Sequence, residues 1–470
     1  MPSPETLGPR VALHLLNRAG YGPRPGEISA VLEHGLTSWI EEQLEPTADP
    51  ELDARLARYP TLVYSTAQIL DLYNADQRSI GVILDDFVSA KIARAVHAKN
   101  QLQEVLVDFW FNHFNVFVND GFDRYAISSY ERDAIRPHVL GRFRDLLAAA
   151  SLHPAMLYYL DNYLNTVPRR VGGRTVGGIN ENQGRELLEL HTLGVEAGYS
   201  QTDVIEASRC LTGHGIDNIT TGGNYTFRAT NHDTEAKQVF GLSVPAGGGA
   251  ADVEKLFDHL ASHPATARFV SRKLAERFVA DDPPRALVER LADVFLRSGG
   301  DLRQLMKALF GSAELWAEAF GNGKPKTPFE YVVSVLRAAG AELAQTRAVR
   351  TAVQDMGMPL YACNPPTGYS NRGTDWLNPS AQLYRMNFSL DLAASAVAGV
   401  SADIPGLIRD GGGSTDDPAS AAEAINAQVF GRTLSAASLA AASQVNRSGS
   451  VPVAVRVAGL LFASPEMQLR

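Results

Sequence analysis

One stretch of the chain decides the fold class most clearly: TPFEYVVSVLRAAG, residues 327–340. Thr327 is a favoured N-cap, Pro328 suits the first helical position, and Glu330 completes a capping box with the threonine. The apolar run that follows stops at Gly340, and glycine favours the end of a helix. The stretch therefore predicts a buried helix whose start and end are both marked in the sequence.

The same helix signals recur along the chain, whereas alternating strand-like runs are scarce. Ser200 to Asp203 opens a helix over VIEASRCL, and residues 182–192 form a short helix that ends at Gly194. The run NYTFR, which lies between glycines, is the candidate for a hairpin. We therefore predict a mostly all-α fold, a large helical bundle-like protein with long irregular loops and a small β-hairpin insertion.

Three segments break the helical pattern, and a fourth resembles a linker. The irregular segments are 168–179, 212–250 and 361–380. The run GGGSTDD at residues 411–417 is typical of a flexible linker. The predicted organisation is a main helical domain at 1–410 with a loop insertion at 212–250, the linker at 411–417, and a C-terminal helical segment at 418–470.

The composition excludes several classes of protein. Of 470 residues, 45% are hydrophobic and 20% are charged, which excludes wholesale disorder. The 43 Lys and Arg against 52 Asp and Glu give a net charge of −9, which disfavours binding to nucleic acid. The sequence contains no export signal and no uninterrupted apolar run of about 18 residues, so we expect a soluble chain without a membrane span. By sequence the protein is cytoplasmic, or it is the mature form of an exported protein.

No HExxH, GxSxG or Walker motif occurs, so the search for chemistry rests on polar residues in apolar surroundings. The stretch LQEVLVDFWFNHFNVFV, residues 102–118, is strongly apolar. Its polar residues nevertheless recur at helical spacing, as Glu104, Asp108, Asn112 and Asn115. This polar stripe either meets solvent or lines a cavity, since buried carboxylates and amides need partners.

A second polar face is predicted in NENQGRELLELH, residues 180–191. Asn182, Glu186 and Glu189 fall on one side of a helix, with Arg185 beside them. Two close carboxylates share a proton, which suits acid/base catalysis, or bind a cation. The alternative is an ordinary solvated pair of Arg185 and Glu189.

The predicted site combines both helices. Glu186 and Glu189 are the candidate catalytic carboxylates, and with Asp108 they are the candidate ligands of a divalent metal ion, the one cofactor that the pattern suggests. The candidate substrate-binding residues from these helices are Asn112, Asn182 and Arg185.

Two further tracts contribute candidates. YERDAIRPH, from residue 130, forms a salt-bridged network that is either structural or orients an anionic substrate through Arg132. The insertion 212–250 is expected to cover the same cavity, with His232 and Asp233 as catalytic groups and Lys237 as a substrate-binding residue. The alternative for the insertion is a surface loop with a local turn.

Several tracts resemble a large bacterial family known only as a domain of unknown function, number eighteen hundred. They span residues 13–390 and include FWFNHFNV, YERDAIRPHVLGRFRDLL, INENQGRELLELHTLGV, KTPFE and PPTGY. His214 departs from the family, which commonly has Trp there. The resemblance implies a gene neighbour similar to the sulfatase and alkaline phosphatase superfamily, and thus a sulfatase-like partner.

The sequence leaves three functions open. The first is an enzyme with a polar pocket between buried helices, which carries out hydrolysis or group transfer. Its substrate is a small molecule or a glycan-type compound that is anionic or polar, and a metal ion is one option for its cofactor. The second is a helical scaffold or maturation partner of the sulfatase-like protein. The third and weakest is a haem protein, with His113 or His191 as axial ligand.

Overall fold

The fold is mostly all-α, as the sequence predicts. The computed structural model describes residues 8–321 and 323–470. In the first half of the chain the α-helices are α1 (Pro9–Arg18), α2 (Glu27–His34), α3 (Leu36–Leu44), α4 (Pro50–Leu56), α5 (Thr66–Ala75), α6 (Ser79–His97), α7 (Gln101–His113), α8 (Asp123–Ser129), α9 (Phe143–Ser151), α10 (Pro154–Tyr159), α11 (Asn182–Glu186) and α12 (Gln201–Leu211).

The second half is built in the same way. Its α-helices are α13 (Ala251–Ala261), α14 (Pro264–Phe278), α15 (Arg285–Ser298), α16 (Leu302–Phe310), α17 (Ala313–Ala317), α18 (Pro328–Ala338), α19 (Arg347–Asp355), α20 (Pro379–Ala393), α21 (Ile404–Asp410), α22 (Pro418–Phe430), α23 (Ala436–Ser443), α24 (Val453–Phe462) and α25 (Pro465–Gln468).

Tighter and wider helical turns connect these helices. The 3₁₀ turns are Pro60–Val63, Arg136–His138, Asn162–Leu164, Val195–Ala197, Ala229–Asn231, Glu318–Phe320 and Gly373–Trp376. Two π-helices continue regular helices without a break, Tyr130–Ile135 after α8 and Leu187–Thr192 after α11. Such wide turns are rare and occur frequently at functional sites.

The strands pair only as antiparallel couples. They are β1 (Thr166–Val171) with β2 (Arg174–Gly178), β3 (His214–Ile216) with β4 (Tyr225–Phe227), β5 (Lys237–Val239) with β6 (Leu242–Val244), and β7 (Glu342–Leu343) with β8 (Val400–Ser401). The insertion 212–250 thus contains the predicted hairpin around NYTFR, His214 facing Phe227, and a second one after it. The segment 168–179, which we expected to be irregular, lies largely within the hairpin β1–β2.

Helix α18 lies at the centre of the molecule and confirms the prediction from TPFEYVVSVLRAAG. The Thr327 side chain accepts from the Glu330 backbone N–H, and the Glu330 carboxylate accepts from the Thr327 backbone N–H. All 11 residues of α18 are buried, and the helix packs against α6 and α20. A helix that is buried on every side needs no polar face, which explains its nearly continuous apolar sequence.

A single hydrophobic core connects most of the described chain. It includes Val11 of α1 and Met467 of α25, and α24 packs along α20. In the segment predicted as a linker, Gly413 closes the end of α21 by donating from its backbone N–H to the Ile408 carbonyl oxygen. None of the described helices is long and apolar enough to cross a membrane.

Candidate functional site

The polar stripe, which α7 carries as far as Asn112 and Asn115 continues, is hydrogen-bonded to other parts of the protein. Glu104 is buried and accepts two hydrogen bonds from Arg136, at 2.7 and 2.9 Å. Asp108 accepts from the Lys91 ammonium group at 2.6 Å. Two parallel bonds between a guanidinium and a carboxylate are among the strongest ion pairs in proteins.

The C-terminal residues of the stripe, Asn112 and Asn115, bind the loop that follows α19. The Asn112 side chain donates to the Tyr369 carbonyl oxygen at 2.7 Å and accepts from the Tyr369 backbone N–H at 2.6 Å. Asn115 donates to the carbonyl oxygens of Cys363 and Pro365 at 2.9 and 3.0 Å. Gly368 has a φ of +70° and lies very close to Asn112. A Cβ atom on Gly368 would overlap the backbone carbonyl oxygen of Asn112. The loop is therefore an ordered cover on α7.

A small cavity remains between this loop and α7. Its volume is about 40 Å³, and its walls include Lys91, Asp108, Asn112, Arg277 and Tyr361. The space suits a few water molecules, since one water requires roughly 10–15 Å³ of such volume. Three residues of the polar stripe, Asp108, Asn112 and Asn115, thus line a cavity, but one too small for a substrate.

Tyr361 sits at the wall of this cavity in a strained backbone conformation. Its φ is +60°, which lies in the left-handed region. Occupying this region costs a residue with a Cβ about 1–3 kcal/mol. The phenol donates to Glu131 at 2.5 Å. The ring stacks on Phe87 with centroids 4.3 Å apart, and the Lys91 ammonium lies 4.7 Å from its centroid. These contacts hold the side chain in one place.

The π-helix Tyr130–Ile135 presents the acid that Tyr361 binds. Glu131 is 5% exposed and accepts from Arg136 at 3.3 Å, so Arg136 joins Glu104 and Glu131. Burial acts to raise the pKa of Glu131, but Arg136, Lys91 and the Tyr361 hydrogen bond together lower it below its ordinary value. Burial and the neighbouring carboxylate raise the pKa of Tyr361 well above its ordinary value. The pair is therefore an ionised carboxylate with a neutral phenol donor.

A larger cavity, which we call the Arg94 groove, lies beside Glu131 and shares Lys91 with the small cavity. Its volume is about 510 Å³, within the range of small-molecule sites, which is roughly 300–1,000 Å³. Phe87, Lys91 and Glu131 connect it to Tyr361. The groove is lined by Asp53, Leu56, Ala57, Tyr59, Pro60, Leu62, Val63, Phe87, Ala90, Lys91, Arg94, Ser128, Glu131, Arg132 and Arg136.

The predicted substrate-binding residue Arg132 lies at this groove, but protein groups occupy its guanidinium. It donates to the Asp133 carboxylate at 2.7 and 2.6 Å and to the carbonyl oxygens of Leu62 and Tyr64 at 2.7 and 3.0 Å. These bonds fasten the 3₁₀ turn Pro60–Val63 to the π-helix. Arg132 thus positions one wall of the groove.

The second predicted polar face lies elsewhere. Glu189 accepts from the Tyr199 hydroxyl at 3.1 Å, and Arg185 donates to Glu181 and Gln201. Glu186 is half-buried, and burial together with Glu189 raises its pKa. The Asn182 backbone N–H donates to the Asn180 side chain at 3.0 Å. None of Asn182, Arg185, Glu186 and Glu189 lines the cavity of Asp108 and Asn112, or the Arg94 groove.

The proposed metal ligands do not form a binding set. Within residues 8–321 and 323–470, no group of three or more His, Cys, Asp or Glu side chains is placed to hold a metal ion. Asp108 is bound to Lys91 instead. We therefore correct the assignment of Asp108, Glu186 and Glu189 as metal ligands and base no chemistry on a metal ion.

His232 and Lys237 of the insertion belong to a buried network of their own. The His232 Nδ1 atom donates to the Thr212 carbonyl oxygen at 2.8 Å, and Nε2 lies 3.2 Å from Asp252. Lys237 donates to the same carboxylate at 2.8 Å, and all these side chains are at most 1% exposed. Asp252 is thus the acid beside His232.

Asp233, which we predicted to act with His232, binds Arg209 at 2.8 and 3.0 Å. Strand β5 packs on α12, and β6 packs on α13. His232, Asp233 and Lys237 line neither of the two cavities described above. The insertion therefore does not cover the cavity of the α7 stripe.

The two candidate haem ligands lie inside packed aromatic side chains. His113 and His191 are 3% and 1% exposed, and their ring centroids are 6.2 Å apart. The His113 Nε2 atom donates to the His191 carbonyl oxygen at 3.1 Å. Phe114 lies against both rings. Neither histidine has an open side for a haem, so the residues do not fit that group.

Lys91, Arg94 and Tyr361 are the site residues that sequence reasoning missed. Arg94 and Lys91 share one face of α6 with Phe87 and Ala90, and this spacing was a readable signal. The role of Tyr361 had no local signal, because its partner Glu131 is 230 residues away along the chain.

A family model described as "Protein of unknown function (DUF1800)" matches residues 14–469. No curated protein and no solved structure matches the chain.

Proposed function

The chain belongs to the family Protein of unknown function (DUF1800), and from the arrangement of its side chains we propose that it is an enzyme whose small anionic or polar substrate binds in the Arg94 groove. The reaction class we propose is hydrolysis or group transfer. The substrate contacts the wall formed by the π-helix Tyr130–Ile135.

One observation carries this proposal: Glu131 and Arg136 line the ligand-sized Arg94 groove, and behind that wall they bind the strained Tyr361 and the buried Glu104. The left-handed backbone of Tyr361 costs stability. Burying Glu104 and Glu131, together with the largely buried Arg136, also costs desolvation energy, which ion pairing offsets only in part. Features that reduce stability and cluster at a cavity support a role in function.

The groups at the wall suggest a division of roles. Glu131, held ionised, lines the groove and orients Tyr361 through their hydrogen bond. The Ser128 hydroxyl also lines the groove and makes no hydrogen bond within the described part of the chain. A hydroxyl without a partner is available to a bound substrate.

The experiment is a screen of purified protein against chromogenic esters, glycosides, phosphates and sulfates. Leu62→Trp fills the groove, because Leu62 is a half-buried residue of its wall. Val82→Trp is the matched control, since Val82 is 61% exposed on α6 and does not line the groove. We expect a turnover that Leu62→Trp abolishes and Val82→Trp retains. Equal activity of the two variants contradicts the proposal.

A helical scaffold for a sulfatase-like partner is the second candidate, and one observation favours it. An apolar patch on α20 and α24 is 42–60% exposed and consists of Leu383, Tyr384, Met386, Leu390 and Leu460. Patches of this kind mark protein interfaces. Co-purification with the partner, lost in Leu383→Glu and kept in Val82→Glu, supports the scaffold.

A further inference from the structure

Arg94 lines the groove from the same face of α6 as three other groove residues. Phe87, Ala90, Lys91 and Arg94 are spaced so that all four side chains project to one side of the helix, and all four line the groove. The helix therefore presents two apolar side chains and Lys91 beside the Arg94 guanidinium.

Arg94 differs from the other cations of the groove because its donors are free. Lys91 is paired with Asp108, and Arg132 and Arg136 are each bound to carboxylates. The Arg94 guanidinium makes no hydrogen bond or ion pair within residues 8–321 and 323–470. A guanidinium offers five N–H donors in a planar fork that matches a carboxylate.

The charges around Arg94 limit the ligand. Arg136 is shared by Glu104 and Glu131, so this group carries one negative charge in excess. The pair of Lys91 and Asp108 is neutral. Arg94 is thus the only positive charge near this wall without a direct partner among the described groove residues. One singly charged anion is accommodated better than a doubly charged phosphate, which the neighbouring carboxylates repel.

The part of the groove wall that lies near the 3₁₀ turn Pro60–Val63 is apolar. It is formed by Tyr59, Leu62 and Val63, and Val63 is 76% exposed. Burying such side chains against an apolar ligand contributes about 25 cal/mol per Å². The groove thus offers one charged anchor and one apolar surface to the same molecule.

We propose, on the basis of the function proposed above, that Arg94 anchors the carboxylate of the substrate and that this substrate is an aryl or alkyl carboxylate. Its carboxylate accepts two hydrogen bonds from the guanidinium, and its apolar body lies against Tyr59, Leu62 and Val63. The reaction on this carboxylate remains the hydrolysis or group transfer proposed above.

The experiment measures binding by calorimetry and by thermal shift with four probes: benzoate, octanoate, acetate and benzamide. Benzoate and octanoate have both the charge and the apolar body, acetate lacks the body, and benzamide lacks the charge. We expect saturable binding of benzoate or octanoate and at least about tenfold weaker binding of acetate and benzamide, because each lacks one of two contacts.

The variant Arg94→Gln removes the anchor, and Arg78→Gln is the matched control. Arg78 caps the start of α6, and its side chain is 92% exposed. We expect Arg94→Gln to weaken benzoate binding at least about tenfold and Arg78→Gln to leave it unchanged. Should Arg94→Gln fail to fold, Arg94→Lys keeps the charge without the fork and is expected to bind benzoate more weakly than the wild type.

Several outcomes overturn the inference. It is wrong if benzamide binds as well as benzoate, if phenyl phosphate binds and the carboxylates do not, if Arg94→Gln binds benzoate normally, or if no probe binds. Turnover that Leu62→Trp abolishes but Arg94→Gln leaves intact refutes the inference alone. Carboxylate binding through Arg94 without any groove-dependent turnover refutes the proposed enzyme instead.

Discussion

Replacing Tyr361 by phenylalanine isolates the hydrogen bond to Glu131. The change removes one oxygen and keeps the ring on Phe87, the contact with Lys91 and the strained backbone. A hydrogen bond to a charged group contributes about 1.5–3 kcal/mol, so we expect Tyr361→Phe to lower the free energy of unfolding by that amount. The matched control is Tyr369→Phe, because Tyr369 donates to the neutral Pro359 carbonyl at 2.7 Å and should cost only about 0.5–1.5 kcal/mol.

The loss of stability in Tyr361→Phe should depend on pH. The pKa of Glu131 in the folded protein is below its ordinary value of 4.5, so the stability from its ionised form is present above pH 4.5 and is lost as the pH falls through the folded-state pKa. The difference between wild type and Tyr361→Phe should therefore be constant from neutral pH down to 4.5 and shrink below it. Urea unfolding followed by tryptophan fluorescence measures it. Equal losses for both tyrosines, or a difference independent of pH, refute the reasoning.

Three further changes test the surroundings of the site. Asp108→Asn leaves the largely buried Lys91 without its acid and should destabilise the protein by about 2–4 kcal/mol in urea, whereas adding Lys91→Met should recover part of the loss. Gly368→Ala forces a Cβ onto the Asn112 carbonyl at a positive φ, and faster cleavage of this loop by trypsin than in wild type is the expected result. Glu186→Gln should leave the melting temperature unchanged or slightly raised, since burial and a like charge already disfavour the ionised form at neutral pH; a marked fall would contradict this.

Local signals predicted the fold well. The capping box before α18 involves residues three apart, and the structure forms it as the sequence indicates. Ser200 and Asp203 likewise cap α12. Such contacts lie within one turn of chain and need no knowledge of tertiary structure. The position of α18 at the centre followed from its apolar sequence, since a helix without a polar face must be buried.

The candidate site was predicted in part, and the reasons for the failures differ. The stripe of Asp108 and Asn112 does line a cavity, because helical periodicity holds throughout α7. The face of Glu186 and Glu189 was assigned with the same periodicity, but the backbone becomes a π-helix at Leu187, so the spacing no longer applies.

Long-range partners account for the rest. Asp252 reaches His232 from 20 residues away along the chain, whereas local sequence points to the adjacent Asp233. Arg94 is unpaired because no acceptor of the described residues is placed to accept a hydrogen bond from its guanidinium. No pattern in the sequence indicates this. Charge partners across a fold are set by tertiary packing.

The π-helix at Tyr130–Ile135 makes the wall of the groove sensitive to the number of residues in the chain as well as to their identity. Its hydrogen bonds span one residue more than those of an α-helix. Deleting any single residue there would allow an ordinary helix to form and would rotate Arg136 by about 100° away from Glu104. A relative that keeps every one of these side chains but is one residue shorter in this turn would lose the ion pairs. An insertion or a deletion in this turn, and not only a substitution, would therefore change the wall of the groove.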